Sequence, residues 1–238
     1  MTKSCLRCIG EYLSLQLAGN RGGSGLERAL ELTPNDLASL TSFVHFLAYL
    51  EEYERSIEIA QRVVELDPSQ HALAHAYLYA GDFESAYIAW TNLLRFDINK
   101  TDSAVHRSLA IVEWHRDNKD SAIINIKAAE RLLTTGPVVY AEQIQVYGML
   151  GLQDDADRLF RIFEQMADTF QIPAFTWVLA YTGIGEYEKA LRLLNRIDVD
   201  RSPEDSRYSF QFAINRRHDP VFEQPEFVDM RNKLRLKR

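Results

Sequence analysis

Arg28-Ala-Leu-Glu-Leu-Thr-Pro34 and Arg62-Val-Val-Glu-Leu-Asp-Pro68 are nearly the same phrase, and their prolines stand 34 positions apart. Self-similarity at a fixed period means that one supersecondary unit is being stacked, and it changes how every other residue is read. The same interval returns in the second half of the chain, where Ala122, Ala156 and Ala190 follow one another. Working outward, a small residue recurs at Gly22, Ser56, Ala86, Ala122, Ala156 and Ala190. Four positions later a bulky apolar residue stands in Leu26, Trp90, Ile126, Phe160 and Leu194, and only Ala60 breaks the rule. A small side chain lets two helices cross closely, and the large one fills the space beside the crossing. Five residues before the small position lies a turn signal: Gly81-Asp-Phe83, Gly151-Leu-Gln153 and Gly185-Glu-Tyr187, with Glu51-Glu-Tyr53 as a version without glycine. Glycine suits the left-handed residue that closes a helix before the chain reverses.

This arrangement resembles the tetratricopeptide repeat, a helix-turn-helix of 34 residues with the pattern W-x2-L-G-x2-Y, A-x3-F and P. The resemblance covers about 200 residues and implies an all-α, right-handed superhelical solenoid of about six such repeats. The whole chain, 1–238, then forms one domain, with units at 3–36, 37–66, 67–102, 103–136, 137–170 and 171–202 and a C-terminal cap over 203–238. Two departures are visible. The step from Ser56 to Ala86 is 30 and that from Ala86 to Ala122 is 36, so the first helix of the third unit is expected to lack about one turn. The first unit contains Asn20-Arg-Gly-Gly-Ser-Gly25, a poor helix start that reads as a loose loop.

Stacking is required by the helices themselves. Leu152, Ala156, Leu159, Phe160 and Phe163 form a stripe at helical spacing that a lone hairpin would leave half in water. Neighbouring units cover it, so several repeats are stable where one is not. A last unit needs a cap, and Pro203-Glu-Asp-Ser begins a helix whose Tyr208, Phe210, Phe212 and Ile214 can supply it. The end of the chain, Asp219-Pro-Val-Phe222 through Leu234, resembles the ending of repeat domains attached to bacterial nucleotidyl cyclases and winged-helix transcription regulators, which implies a regulatory setting.

Composition narrows the function. With 46% hydrophobic and 26% charged residues the chain is an ordinary folding sequence rather than a disordered one. A net charge of -7 works against the broad basic face that nucleic acid needs, so no nucleic-acid partner is expected. No run approaches the roughly 20 apolar residues of a membrane span, and the N-terminus lacks a long apolar signal core, so a cytoplasmic protein with no membrane partner is expected. Cys5 and Cys8 are the only cysteines, which agrees with a reducing compartment. Their two-residue spacing is half a zinc site with no second pair, and two packed helix residues explain them better.

The tetratricopeptide resemblance places ligands in a concave groove lined by the first helix of each unit. On that surface it puts His45 and Tyr49, then His71, His75 and Tyr79, then Arg107, Trp114 and His115, and finally Gln145 and Met149. Aromatic and histidine side chains there imply a protein or peptide partner, bound by a non-enzymatic adaptor or scaffold that uses no cofactor. Members that clamp a chaperone tail carry lysine, asparagine and arginine at inner positions where this chain has Thr41, His45, His71, His75, Arg107 and Ile111, so that partner is not expected. Four histidines in one groove would also let mild acid strengthen the binding of acidic partners. Two other classes stay open. His71, His75 and His115 could serve a metal-dependent hydrolase, although Ala72 stands where a metalloprotease helix has glutamate. The weak first unit could also leave an edge for self-association.

Overall fold

A computed structural model describes residues 30–49, 51–96, 102–133 and 136–194, together with 225 and 228. The first unit, Cys5 and Cys8, and the C-terminal cap lie outside the described residues apart from those few positions. What is described is helical. The helices are α1 (Leu37–Tyr49), α2 (Tyr53–Leu66), α3 (Ala72–Ala80), α4 (Phe83–Phe96), α5 (Ser103–His115), α6 (Lys119–Arg131), α7 (Pro137–Met149), α8 (Gln153–Met166), α9 (Ala174–Gly183) and α10 (Tyr187–Leu194). Successive helices pack on one another, α8 and α9 through the rings of Phe163 and Trp177 at 4.7 Å, and α1–α3, α5–α7 and α7–α9 also touch, so the odd-numbered helices line one side of a helical repeat solenoid.

Helix starts follow local chemistry. Asp102 caps α5 by accepting from the N–H groups of Ala104 (2.8 Å) and Val105 (3.3 Å). Pro137 opens α7 at the position where a missing N–H costs nothing. Between the helices of each pair the same turn recurs. The N–H of Glu52 donates to the carbonyl of Leu47, Asp82 to Tyr77, Asn118 to Glu113, Leu152 to Tyr147 and Glu186 to Tyr181, all at 2.9–3.0 Å. This closure needs one left-handed residue, supplied by Gly81, Gly151 and Gly185 with φ of 79°, 72° and 77°. Glu51 (φ 64°) and Asp117 (φ 62°) hold the same conformation with a side chain attached.

The predicted ladder is the core. Ser56, Ala86, Ala122, Ala156 and Ala190 are fully buried, as are Ala60, Trp90 and Ile126 four residues beyond the first three. Ser56 keeps its hydroxyl satisfied by donating to the carbonyl of Val44 at 2.9 Å. Ala156, Leu159, Phe160 and Phe163 of α8 are buried as their spacing requires. The third pair is short in its first helix: α3 has 9 residues where α1, α5 and α7 have 13.

One contact was not foreseeable from helical periodicity. A Cβ placed on Gly148 would lie 2.0 Å from the carbonyl oxygen of Gly183, and one on Gly183 would lie 2.5 Å from that of Ile144. The backbones of α7 and α9 therefore touch directly, and only glycine permits it.

Candidate functional site

The first helices of the described pairs bring a connected set of polar and aromatic side chains to one face. In α1 and α3, His45, His75 and Tyr79 form a cluster with ring centroids 5.5–5.7 Å apart. His45 Nδ1 and the Tyr79 hydroxyl share a hydrogen bond of 3.1 Å across 34 residues of sequence. Tyr79 is only 1% exposed, and burial followed by the nearby Glu142 charge raises its pKa, so the phenol stays protonated.

His75 is the centre of the set. Its ring stacks on Tyr79 and meets the buried Trp90 edge-on at 4.9 Å. Its Nδ1 is sealed from solvent without a hydrogen-bond partner. Burial, then the charges of His45, His71 and Arg107, pushes its pKa well below the ordinary 6.5. A proton on His75 is therefore opposed, and this histidine stays neutral in mild acid.

Around it lie a hydrogen-bonded pair and an ion pair. His71, whose ring also lies 5.2 Å from Trp90, places Nε2 3.2 Å from Asp102 Oδ2. The His71 hydrogen bond is the main reason that the Asp102 pKa falls to about 2, with burial acting against it. Arg107 of α5 donates from Nη2 to Glu142 of α7 at 2.5 Å, while its Nη1 is buried with no hydrogen-bond partner.

The other expected residues are placed differently. Trp114 is half-buried and edge-on to His115 at 4.8 Å, and His115 lies flat on Phe83 at 4.3 Å and 4°. His115 thus joins α5 to the start of α4 rather than joining the other histidines. Gln145 is 2% exposed, and neither end of its amide has a hydrogen-bond partner. Met149 is half-buried, and the side chain of Tyr49 lies outside the described residues. Among the described residues no three His, Cys, Asp or Glu side chains gather in a way that could hold a metal ion.

Sequence reasoning missed Asp102 and Glu142, the carboxylates that hold His71 and Arg107. Asp102 carried a readable signal as the capping type just before Ser103. Glu142 had only its distance, one repeat beyond Arg107.

Comparison of the sequence with protein-family models finds no match, and comparison with curated proteins finds none either. Solved structures are similar in shape. The type IV pilus biogenesis factor PilW is 13% identical, with a TM-score of 0.50 over 87% of this chain and 99% of that one. Cut9-Hcn1 of the APC/C hetero-tetramer is 15% identical, with a TM-score of 0.52 over 93% of this chain and 47% of that one. The fold is an all-α helical repeat solenoid. The histidine cluster spans two neighbouring helix pairs, α1–α2 and α3–α4. No helix among the described residues is long and apolar enough to cross a membrane.

Proposed function

We propose that this chain is a non-enzymatic adaptor that binds a protein or peptide along the face built by α1, α3, α5 and α7. The observation that carries the reading is one set of polar and aromatic side chains fixed across helices. His45, His71, Asp102, Arg107 and Glu142 are all partly exposed and are held in place by neighbours from other helices. Fixed aromatic and arginine side chains give contact energy at low entropic cost. On this reading His45, Tyr49, His71, His75, Arg107 and Trp114 make the contact, with the buried Tyr79 and Gln145 and with His115 bracing it. Two cysteines in 238 residues fit a reducing compartment, so the role is assigned to the cytoplasm, in a regulatory setting.

The experiment is an affinity pull-down from native lysate with wild-type protein beside a His71→Ala, His75→Ala, Trp114→Ala variant, helicity being checked by circular dichroism. A partner held by the wild type and lost by an equally helical variant supports the groove. A partner held equally by both sinks it.

A further inference from the structure

The shortened α3 leaves room where α2, α3 and α4 meet. Its partner α4 keeps 14 residues against the 9 of α3, so the last turns of α4 run on past the start of α3. The exposed step is a cavity of about 330 Å³, walled by Val64 of α2, Leu73 and Ala74 of α3, and Ala89 and Leu93 of α4. Asn92 and Arg95 stand at its margin, both exposed. No hydrogen bond or ion pair engages either of them among the described residues, whereas Gln70, also at the margin, is spent on Asp67 at 2.7 Å. Here α9 is an instructive contrast. It too is short, at 10 residues, but the residues before it are kept in the chain, and Ile172 packs against the core. In the third unit the sequence is shorter by about that much, and the described residues leave the cavity at the start of α3.

We propose that this cavity is a second docking site, independent of the histidine face, which receives one turn of an amphipathic helix from a partner protein. The occupant presents a leucine-sized apolar side chain to Leu73, Ala89 and Leu93, and an aspartate or glutamate one turn away to Arg95. The volume lies at the lower end of the range of about 300–1,000 Å³ for ligand sites and suits one large side chain rather than a cofactor. Charge complementarity names the second residue. The chain carries 34 acidic against 27 basic residues, and among the described residues Arg95 is a cation with no ion pair beside an apolar hole.

The test is selection from a phage-displayed library of helical peptides on the wild-type full chain, with two variants as comparators. Ala89→Trp fills the cavity, and Arg95→Glu, on the exposed margin, reverses the charge without touching the core. Enriched peptides are expected to share a large apolar residue with Asp or Glu three or four positions away. They should bind at least about tenfold more weakly to Ala89→Trp and about fivefold more weakly to Arg95→Glu, and bind the His71→Ala, His75→Ala, Trp114→Ala variant as they bind the wild type. If Ala89→Trp fails to fold, Arg95→Glu alone decides. No enrichment, or peptides indifferent to both cavity variants, would overturn the proposal. Peptides lost only with the histidine variant would overturn it too, while leaving the groove reading intact.

Discussion

His75 meets Trp90 edge-on, with ring centroids 4.9 Å apart and planes at 88°, so a histidine whose protonation is opposed rests on the fully buried tryptophan of the next helix. Burial and cationic neighbours depress its pKa below 6.5. The unfolded chain therefore takes up this proton first, and folding loses stability as pH falls below about 6.5. Denaturation of the wild type at pH 7.5 and 5.5 should show a loss of up to about 1.4 kcal/mol from this group. His75→Phe should remove that part of the slope. An unchanged slope in the variant would mean that His75 does not titrate as its surroundings require.

Asp102 acts in the same direction in a lower pH window. Its folded pKa of about 2 lies below the ordinary value, so it stabilises the fold above about pH 4 and loses that contribution as pH falls toward 2. It also caps α5, and the two roles separate by substitution. Asp102→Asn keeps a capping acceptor and should cost under about 1 kcal/mol, because the pair with His71 is one-third exposed. Asp102→Ala loses the cap as well and should cost about 1 kcal/mol more. Equal melting temperatures for the two variants would contradict the capping role.

The backbone contact of α7 with α9 makes Gly148 the most sensitive small residue described. Gly148→Ala puts a methyl group 2.0 Å from the Gly183 carbonyl oxygen, with main chain on both sides and no side chain to swing away. A loss of about 3 kcal/mol or more in urea denaturation is expected. The same exchange at Gly136, which has open space around its missing Cβ, offers a steric control.

The turn residues point the other way. Glu51 carries a side chain at φ 64°, where a non-glycine residue is strained. Glu51→Gly should stabilise by about 0.5–1 kcal/mol, with a smaller gain for Asp117→Gly, because aspartate tolerates this region better. Thermal melts would show it, and a drop in both variants would show that side-chain contacts outweigh backbone strain.

Much of the fold was legible because a repeat states its constraints several times over. Ser56, Ala86, Ala122, Ala156 and Ala190 occupy equivalent crossings, and all are buried. The 30-residue step announced the short α3 before any coordinate was known. Asp117 was not legible as a left-handed residue, since Arg116-Asp117-Asn118 offers no glycine to mark it. Gly148 and Gly183 read as weak points inside helices, and nothing local told that each makes room for the other. At the candidate site the aromatic and histidine members follow helical spacing, but Asp102 and Glu142 are chosen by partners 31 and 35 residues away. Gln145 shows the limit of carrying positions over from a repeat pattern. Its register is that of the binding face, while the tight approach of α9 encloses it.

The glycine contact between α7 and α9 and the missing turn of α3 also distribute stiffness unevenly along the superhelix. Where two backbones interlock, neighbouring units cannot slide or pivot without breaking main-chain contact. Where a turn is absent, the seam has less to hold it. Stretched end to end, this spring would yield first beside α3 and keep its pitch around α7 and α9.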